Sequence, residues 1–306
     1  MKFAGIIAEY DPFHNGHAWQ LAQAKALGAE RVAVAMSCSL VQRGALPLLP
    51  EAVRTRSALT CGADLVFALP APCACAGAEA FARAGVALLA AAGCDGLVFG
   101  AETPDAALLM EAAELLDSDS YRAALKAQLA GGARSFAAAR QAAAAQLASD
   151  ERVAALLDKP NNNLAVEYCR AIRSLAPRME AYPLPRQGAD HGEALHSAHG
   201  QFASASALRK LWAEGGADAV APYVPEAVFP LYQEAYAAGQ YTDFSAAGRC
   251  ELALLRSACR GKAPFADIRG VSEGLEHRLE AAVRTSTTYD ELLDALTTVR
   301  YPRARM

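Results

Sequence analysis

Four short apolar runs, Phe3–Ala8, Arg31–Met36, Leu65–Leu69 and Leu97–Phe99, punctuate the first hundred residues, and the stretches between them carry apolar side chains at helical spacing. Runs of this length without polar alternation suit strands buried on both faces. The helices between them then serve as crossovers, so the pattern dictates a parallel α/β sheet covered on two sides. Each run gives way to a loop that opens on polar, proline or glycine residues: Glu9-Tyr10, Ser37, Pro70 and Gly100-Ala101-Glu102. In an open α/β sheet these carboxyl ends of strands form the ligand crevice.

Length and composition narrow the class. The chain has 306 residues, is 53% hydrophobic and 20% charged, and carries 29 Lys+Arg against 33 Asp+Glu, a net charge of −4. This excludes disordered, collagen-like and highly charged chains and predicts one large or two modest globular domains. The eight cysteines include no C-x-x-C pair and sit among apolar or small residues. That usage predicts reduced thiols rather than a disulfide framework or a zinc site. The N-terminal apolar stretch before Glu9 is too brief for a signal peptide, and the stretch from Gly85 to Gly93 falls short of a membrane span. A cytoplasmic location is expected.

Further along, residues Pro104–Asp158 are Ala-rich, with a break at Gly131-Gly132, and predict a helical insertion of two or three helices. Lys159-Pro-Asn-Asn-Asn then leads into a helix ending near Leu175, a strand over Met179–Leu184, and a loop over Gln187–Gln201. Helices are expected after Ser204, interrupted at Gly215-Gly216, Pro222, Pro225 and Pro264. The breaks suggest a first domain over 1–220 and a mainly helical C-terminal region over 221–306.

The chemistry concentrates where the first run meets the first helix. Gly5-Ile-Ile-Ala-Glu-Tyr-Asp-Pro-Phe-His14-Asn-Gly-His17 places H-x-G-H at the start of that helix. A helix N-terminus offers unpaired N–H groups and a positive dipole end to a phosphate. Imidazoles at i and i+3 share one helical face, where they can donate to phosphoryl oxygens as charge develops during in-line attack. Gly16 between them lets a nucleotide approach without a Cβ in the way. No G-x-x-x-x-G-K-[ST] occurs, and no G-x-G-x-x-G follows the first run, so neither a P-loop nor a dinucleotide fold is indicated.

Six stretches in order carry a family resemblance: GIIAEYDPFHNGH from Gly5, MSCSLVQRG from Met36, GADLVFALP from Gly62, FGAE from Phe99, PNNNLAVEY from Pro160 and SASALR from Ser204. Over nearly the whole chain the sequence resembles the HIGH-type nucleotidyltransferase superfamily and, within it, the tRNA(Met) cytidine acetate ligases. The resemblance implies a Rossmann-like core. It also implies ATP and acetate as substrates, acetyl-adenylate as intermediate, and elongator tRNA(Met) as partner, acetylated on N4 of its wobble cytidine.

Carried over by position, the catalytic residues are His14 and His17. The ATP site comprises Ile7, Ala8, Glu9, Tyr10, Phe13, His14, Gly16, His17, Gly100, Asn161, Asn162, Arg186, Ser206 and Arg209, with Mg2+ accompanying the nucleotide and no protein-held metal. Other readings of some of these stand beside this one. Asn161 and Asn162 suit a turn or helix cap, and Ser204 an N-cap ahead of Ser206. A lone Arg186 is ordinarily a solvated charge, although Pro183 and Pro185 stiffen its surroundings. Gln42-Arg43-Gly44 could face acetate or RNA.

The sequence also departs from the family pattern. Asp11 replaces the usual Asn, Cys38-Ser39-Leu40 replaces Gly-Asn-Phe, and Ala101 replaces Ser. Leu48-Leu49-Pro50-Glu51 lacks an expected acidic-Lys pair. Relatives are also expected to continue past the position of Met306. Arg300, Arg303 and Arg305 with Tyr301 form a basic end that could touch RNA phosphates or be a solvated terminus. Two other functions fit the same motifs: a nucleotidyltransferase with another small acceptor, and a nucleotide- or RNA-binding relative without catalysis.

Overall fold

A computed structural model describes residues 1–42, 44–132, 135–185, 195–197, 200–260, 265–268, 271, 274–298 and 303. They fall into two compact units, Met1–Tyr241 and Thr242–Met306. The division lies beyond the expected boundary near 220. The reason is Tyr232, which is fully buried in the first unit and donates its hydroxyl to Phe13 O at 2.7 Å.

The first unit is built on five parallel strands: β1 (Phe3–Ala8), β2 (Arg31–Ser37), β3 (Leu65–Leu69), β4 (Gly96–Ala101) and β5 (Glu180–Pro185). Their order is β3-β2-β1-β4-β5, with Ala4 opposite both Val32 and Gly96. The order reverses between β1 and β4, and such a switch point opens a crevice at the carboxyl ends of the two strands.

Alternate residues serve opposite faces, which is why the strands read as continuous apolar runs. Ala33, Ala35, Leu97 and Phe99 pack into one core cluster, while Ala4, Ile6, Val32, Val34, Met36 and Val98 pack into the other. Helices α1 (Asn15–Ala26) and α2 (Glu51–Thr60) follow β1 and β2, and the short α3 (Ala71–Ala74) and α4 (Ala78–Ala91) bridge β3 to β4. Two glycines let α4 approach the sheet closely. A Cβ on Gly85 would lie 2.5 Å from Ile7 Cδ1, and one on Gly5 would lie 2.8 Å from Leu89 Cδ1.

The insertion holds four helices rather than two or three: α5 (Ala106–Asp117), α6 (Asp119–Ala130), α7 (Phe136–Leu147) and α8 (Glu151–Leu156). Asp105, Ser118, Ser135 and Asp150 each cap one of them through the side chain. The Ala-rich sequence hides these starts because alanine carries no periodic signal of its own.

Helix α9 (Pro160–Leu175) packs on the same layer. Its buried Glu167 takes ion pairs from Arg140 and, at 2.7 Å, from Arg170, whose Nε also reaches Asp117 at 2.8 Å. The expected loop over 187–201 contains a two-stranded antiparallel hairpin, β6 (Leu195–Ser197) and β7 (Gly200–Phe202). Three-residue strands are too short to show alternation.

Beyond it lie α10 (Ala205–Ala219), broken at Gly216, and α11 (Phe229–Ala237). The second unit contains α12 (Phe244–Ala258), α13 (Leu275–Thr285) and α14 (Tyr289–Leu296) around Leu252, Phe265, Leu275, Val283 and Leu292. Within it Arg303 pairs with Asp290 and Asp294 of α14. Arg300, Tyr301 and Arg305 lie outside the described residues. Among the described residues no helix is long and apolar enough to cross a membrane.

Candidate active site

A cavity of about 370 Å³ opens at the switch point, lined from β1 by Ile7 and Ala8 and from β4 by Phe99 and Gly100. After β1 the chain turns sharply. Tyr10 has φ 50°, the left-handed region that non-glycine residues rarely occupy, and the Asp11–Pro12 peptide is cis. The turn delivers His14 to the N-cap of α1.

Here each imidazole is fixed by the backbone. His14 Nδ1 accepts from Gly16 N–H at 3.0 Å, and His17 Nδ1 accepts from His14 N–H at 3.3 Å, a reciprocal capping box built from histidines. A ring nitrogen that accepts carries no hydrogen, so each neutral ring holds its proton on Nε2 and offers an N–H donor there. The two rings stack with centroids 3.7 Å apart, and Tyr10 meets His17 edge-on at 4.8 Å. Gly16 is tight as well as permissive, because a Cβ there would sit 2.9 Å from His14 Cε1.

The far wall comes from α9 and the helix-start loops. Asn161, Leu164 and Tyr168 line it together with Phe81, Leu184, Pro185 and Ser204. Burial pushes the Tyr168 hydroxyl well above its ordinary range, and the charge of Glu9 adds to the shift.

Glu102 organises the entry to α9. Its Oε1 accepts from Asn161 Nδ2 at 2.6 Å and Asn161 N at 3.2 Å, and its Oε2 accepts from Asn162 N at 2.6 Å. Burial raises its pKa, but these hydrogen bonds outweigh burial and hold the carboxyl below its usual range.

Nine of the expected nucleotide-site residues line this one cavity: Ile7, Ala8, Glu9, Tyr10, His14, Gly16, His17, Gly100 and Asn161. Four others stand outside its lining. Phe13 is fully buried in the core cluster behind the turn. Asn162 is buried and spends its side chain on Thr103, donating to Oγ1 at 3.2 Å and accepting from the backbone N–H at 2.9 Å. Ser206 bonds Ser204, the N-cap of α10. Arg209 donates to Asp11 O at 2.6 Å and pairs with Asp11 Oδ2 at 3.1 Å. Arg186 and Arg43 lie outside the described residues.

Glu102 and the aromatic walls Phe99 and Tyr168 were not among the expected site residues, while Gln42, expected to face acetate or RNA, lines the cavity. Glu102 stood inside the quoted FGAE stretch, and its signal was a carboxylate directly after a buried strand. Gln42 N–H donates to Glu9 Oε1 at 2.6 Å, tying the loop after β2 to the loop after β1. Among the described residues no group of three His, Cys, Asp or Glu side chains gathers to hold a metal ion.

A histidine pair on a helix N-terminus at the switch point of a 3-2-1-4-5 parallel sheet defines a HIGH-type nucleotidyl transferase site. Consistent with this, the model of the HIGH Nucleotidyl Transferase family matches residues 1–306. The chain is 36% identical to the tRNA(Met) cytidine acetate ligase of Syntrophotalea carbinolica, over all of this chain and 72% of that relative. It is 34% identical to the enzyme of the same name from Latilactobacillus sakei, over all of this chain and 75% of that relative.

Among solved structures, the apo form of Thermotoga maritima TmcAL superposes with TM-score 0.91 at 30% identity, covering 100% of this chain and 73% of that one. The same protein bound with alpha-thio ATP superposes at 0.88, covering 72% of its chain. The chain belongs to the tRNA(Met) cytidine acetate ligase family.

Proposed function

We propose that this protein activates acetate with ATP and passes the acetyl group to N4 of the wobble cytidine of elongator tRNA(Met). The observation that carries this reading is the backbone-fixed histidine pair in the cavity at the β1–β4 switch point. The Thermotoga relative that binds alpha-thio ATP shares this fold at 30% identity.

In the first step an acetate oxygen attacks the α-phosphorus of ATP and the bond to the β-phosphate oxygen breaks. Acetyl-adenylate forms and pyrophosphate leaves. The Nε2–H groups of His14 and His17, with the N-terminal N–H groups of α1, stabilise the charge spread over the phosphoryl oxygens. Gly100 and Asn161 border the adenosine, the exposed glycine allowing close approach. Arg186 and Arg209 serve the phosphates, and Ser206 opens α10 toward them.

In the second step the cytidine amine attacks the acetyl carbonyl. The bond from that carbon to the adenylate oxygen breaks, AMP leaves, and the nitrogen loses a proton. Mg2+ in this reading travels with the nucleotide phosphates. The reaction belongs in the cytoplasm, where ATP, acetate and tRNA occur together.

The test is ATP–pyrophosphate exchange with and without acetate, run beside Arg186→Ala. Exchange that requires acetate supports the acetyl-adenylate step. ATP binding without any acetate-dependent exchange overturns it.

A further inference from the structure

The cavity poses an electrostatic problem. Glu9 and Asp11 line it, and no lysine or arginine lines it among the described residues, yet its proposed occupant is a polyanion. Beside the role proposed for Arg186, cations set behind the walls add positive potential to the cavity. Arg209 answers Asp11. Behind Glu9 stands Arg54, a residue of α2 that is fully buried.

Among the described residues its guanidinium binds only main-chain oxygens. Nε donates to Leu49 O at 3.0 Å, Nη1 to Glu9 O at 2.7 Å and Ser37 O at 2.6 Å, and Nη2 to Cys38 O. Ser37 ends β2, and Glu9 and Cys38 begin the loops that leave β1 and β2, at the carboxyl edge where the cavity opens. Among the described residues no carboxylate touches the guanidinium. Burial works against its charge, and Asp11, Glu51 and Glu9 support that charge through space. A buried cation without a contacting counter-ion is costly to keep for packing alone. An arginine also stays protonated in such surroundings.

We propose that Arg54 is a positioning residue whose buried charge, clamped to Glu9 O and Ser37 O, adds positive potential that favours the nucleotide's phosphates in the cavity. The proposal rests on the ATP reading above. It also bears on Leu48-Leu49-Pro50-Glu51, which lacks the expected acidic-Lys pair: a fixed cation lies one turn into the helix that follows.

The test compares ATP with adenosine, which shares the base and ribose but carries no charge. Both are titrated by calorimetry into the parent chain, Arg54→Gln and Arg54→Lys. Arg54→Gln is expected to weaken ATP about tenfold while adenosine changes little, the size expected of one charge acting through a partly polar medium. Arg54→Lys, which keeps the charge, is expected to restore most of the ATP preference. Parallel weakening of ATP and adenosine in Arg54→Gln would show a purely structural role and overturn the proposal.

Should that variant not fold, Glu9→Gln decides without touching the buried position. Its amide oxygen still accepts from Gln42, the potential of Arg54 stands less opposed, and the preference for ATP over adenosine rises. An unchanged preference overturns the proposal. A parent chain that binds neither ligand overturns the nucleotide reading itself, and the proposal with it.

Discussion

Replacing Glu102 by alanine removes the carboxylate that starts α9 and orients Asn161 toward the cavity. It accepts three hydrogen bonds, two of them at 2.6 Å, from groups at a helix N-terminus. An N-terminal cap is worth about 1 kcal/mol, and a hydrogen bond to a charged group about 1.5 to 3 kcal/mol when buried. Because Glu102 is only half-buried and water can replace part of this, the net loss should be about 2 kcal/mol. In a first unit spanning Met1–Tyr241, that corresponds to a fall in Tm of about 4 to 8 °C.

The loss should depend on pH in a defined direction. The folded-state pKa of Glu102 lies below its ordinary value, so its contribution is fully present above that ordinary value and fades as pH falls through the folded one. The gap between the parent and Glu102→Gln should hold steady from neutral pH down to about pH 5 and close below about pH 4. Thermal unfolding followed by circular dichroism measures both effects, and ATP titration of the same samples should show several-fold weaker binding as Asn161 loosens. A Glu102→Ala chain that melts with the parent and binds ATP equally well would refute the reasoning.

Three further outcomes follow from the same geometry. His14→Ala or His17→Ala should slow acetate-dependent pyrophosphate exchange by about 10² to 10³, as when one charge-stabilising donor is lost, and the double variant should fall by less than the product of the two. Gly85→Ala should destabilise the first unit by about 1 to 3 kcal/mol in urea unfolding, since its Cβ would meet the branched Ile7 at 2.5 Å and push a strand residue that lines the cavity. Glu167→Gln should cost about 2 to 3 kcal/mol in the same assay, because Arg140 and Arg170 keep their charges in a half-buried layer without the shared carboxylate.

The sequence by itself determined the parallel sheet, because strands buried on both faces must be apolar throughout and helical periodicity must fill the crossovers. It also determined where the histidines stand. His14 and His17 follow β1 at the spacing that a helix start imposes, and local chain geometry alone puts both on one face. Expectations were weakest where local signals are silent, as in the alanine-rich helices of residues 106–156 and the short hairpin of Leu195–Phe202.

Only the tertiary structure decided which neighbouring polar residue faces the cavity and which supports it. Asn161 lines it while Asn162, one residue on, is buried against Thr103; Arg209 turns to Asp11; and Phe13 packs behind the turn. Arg54 carries no signal in the sequence, and only the folded loops after β1 and β2 place their carbonyls on its guanidinium. The physical reason is that periodicity reports which side of an element is buried. Which carbonyl or carboxylate meets a given side chain depends on segments far apart in the chain, such as residues 9, 37 and 54, that only folding brings together.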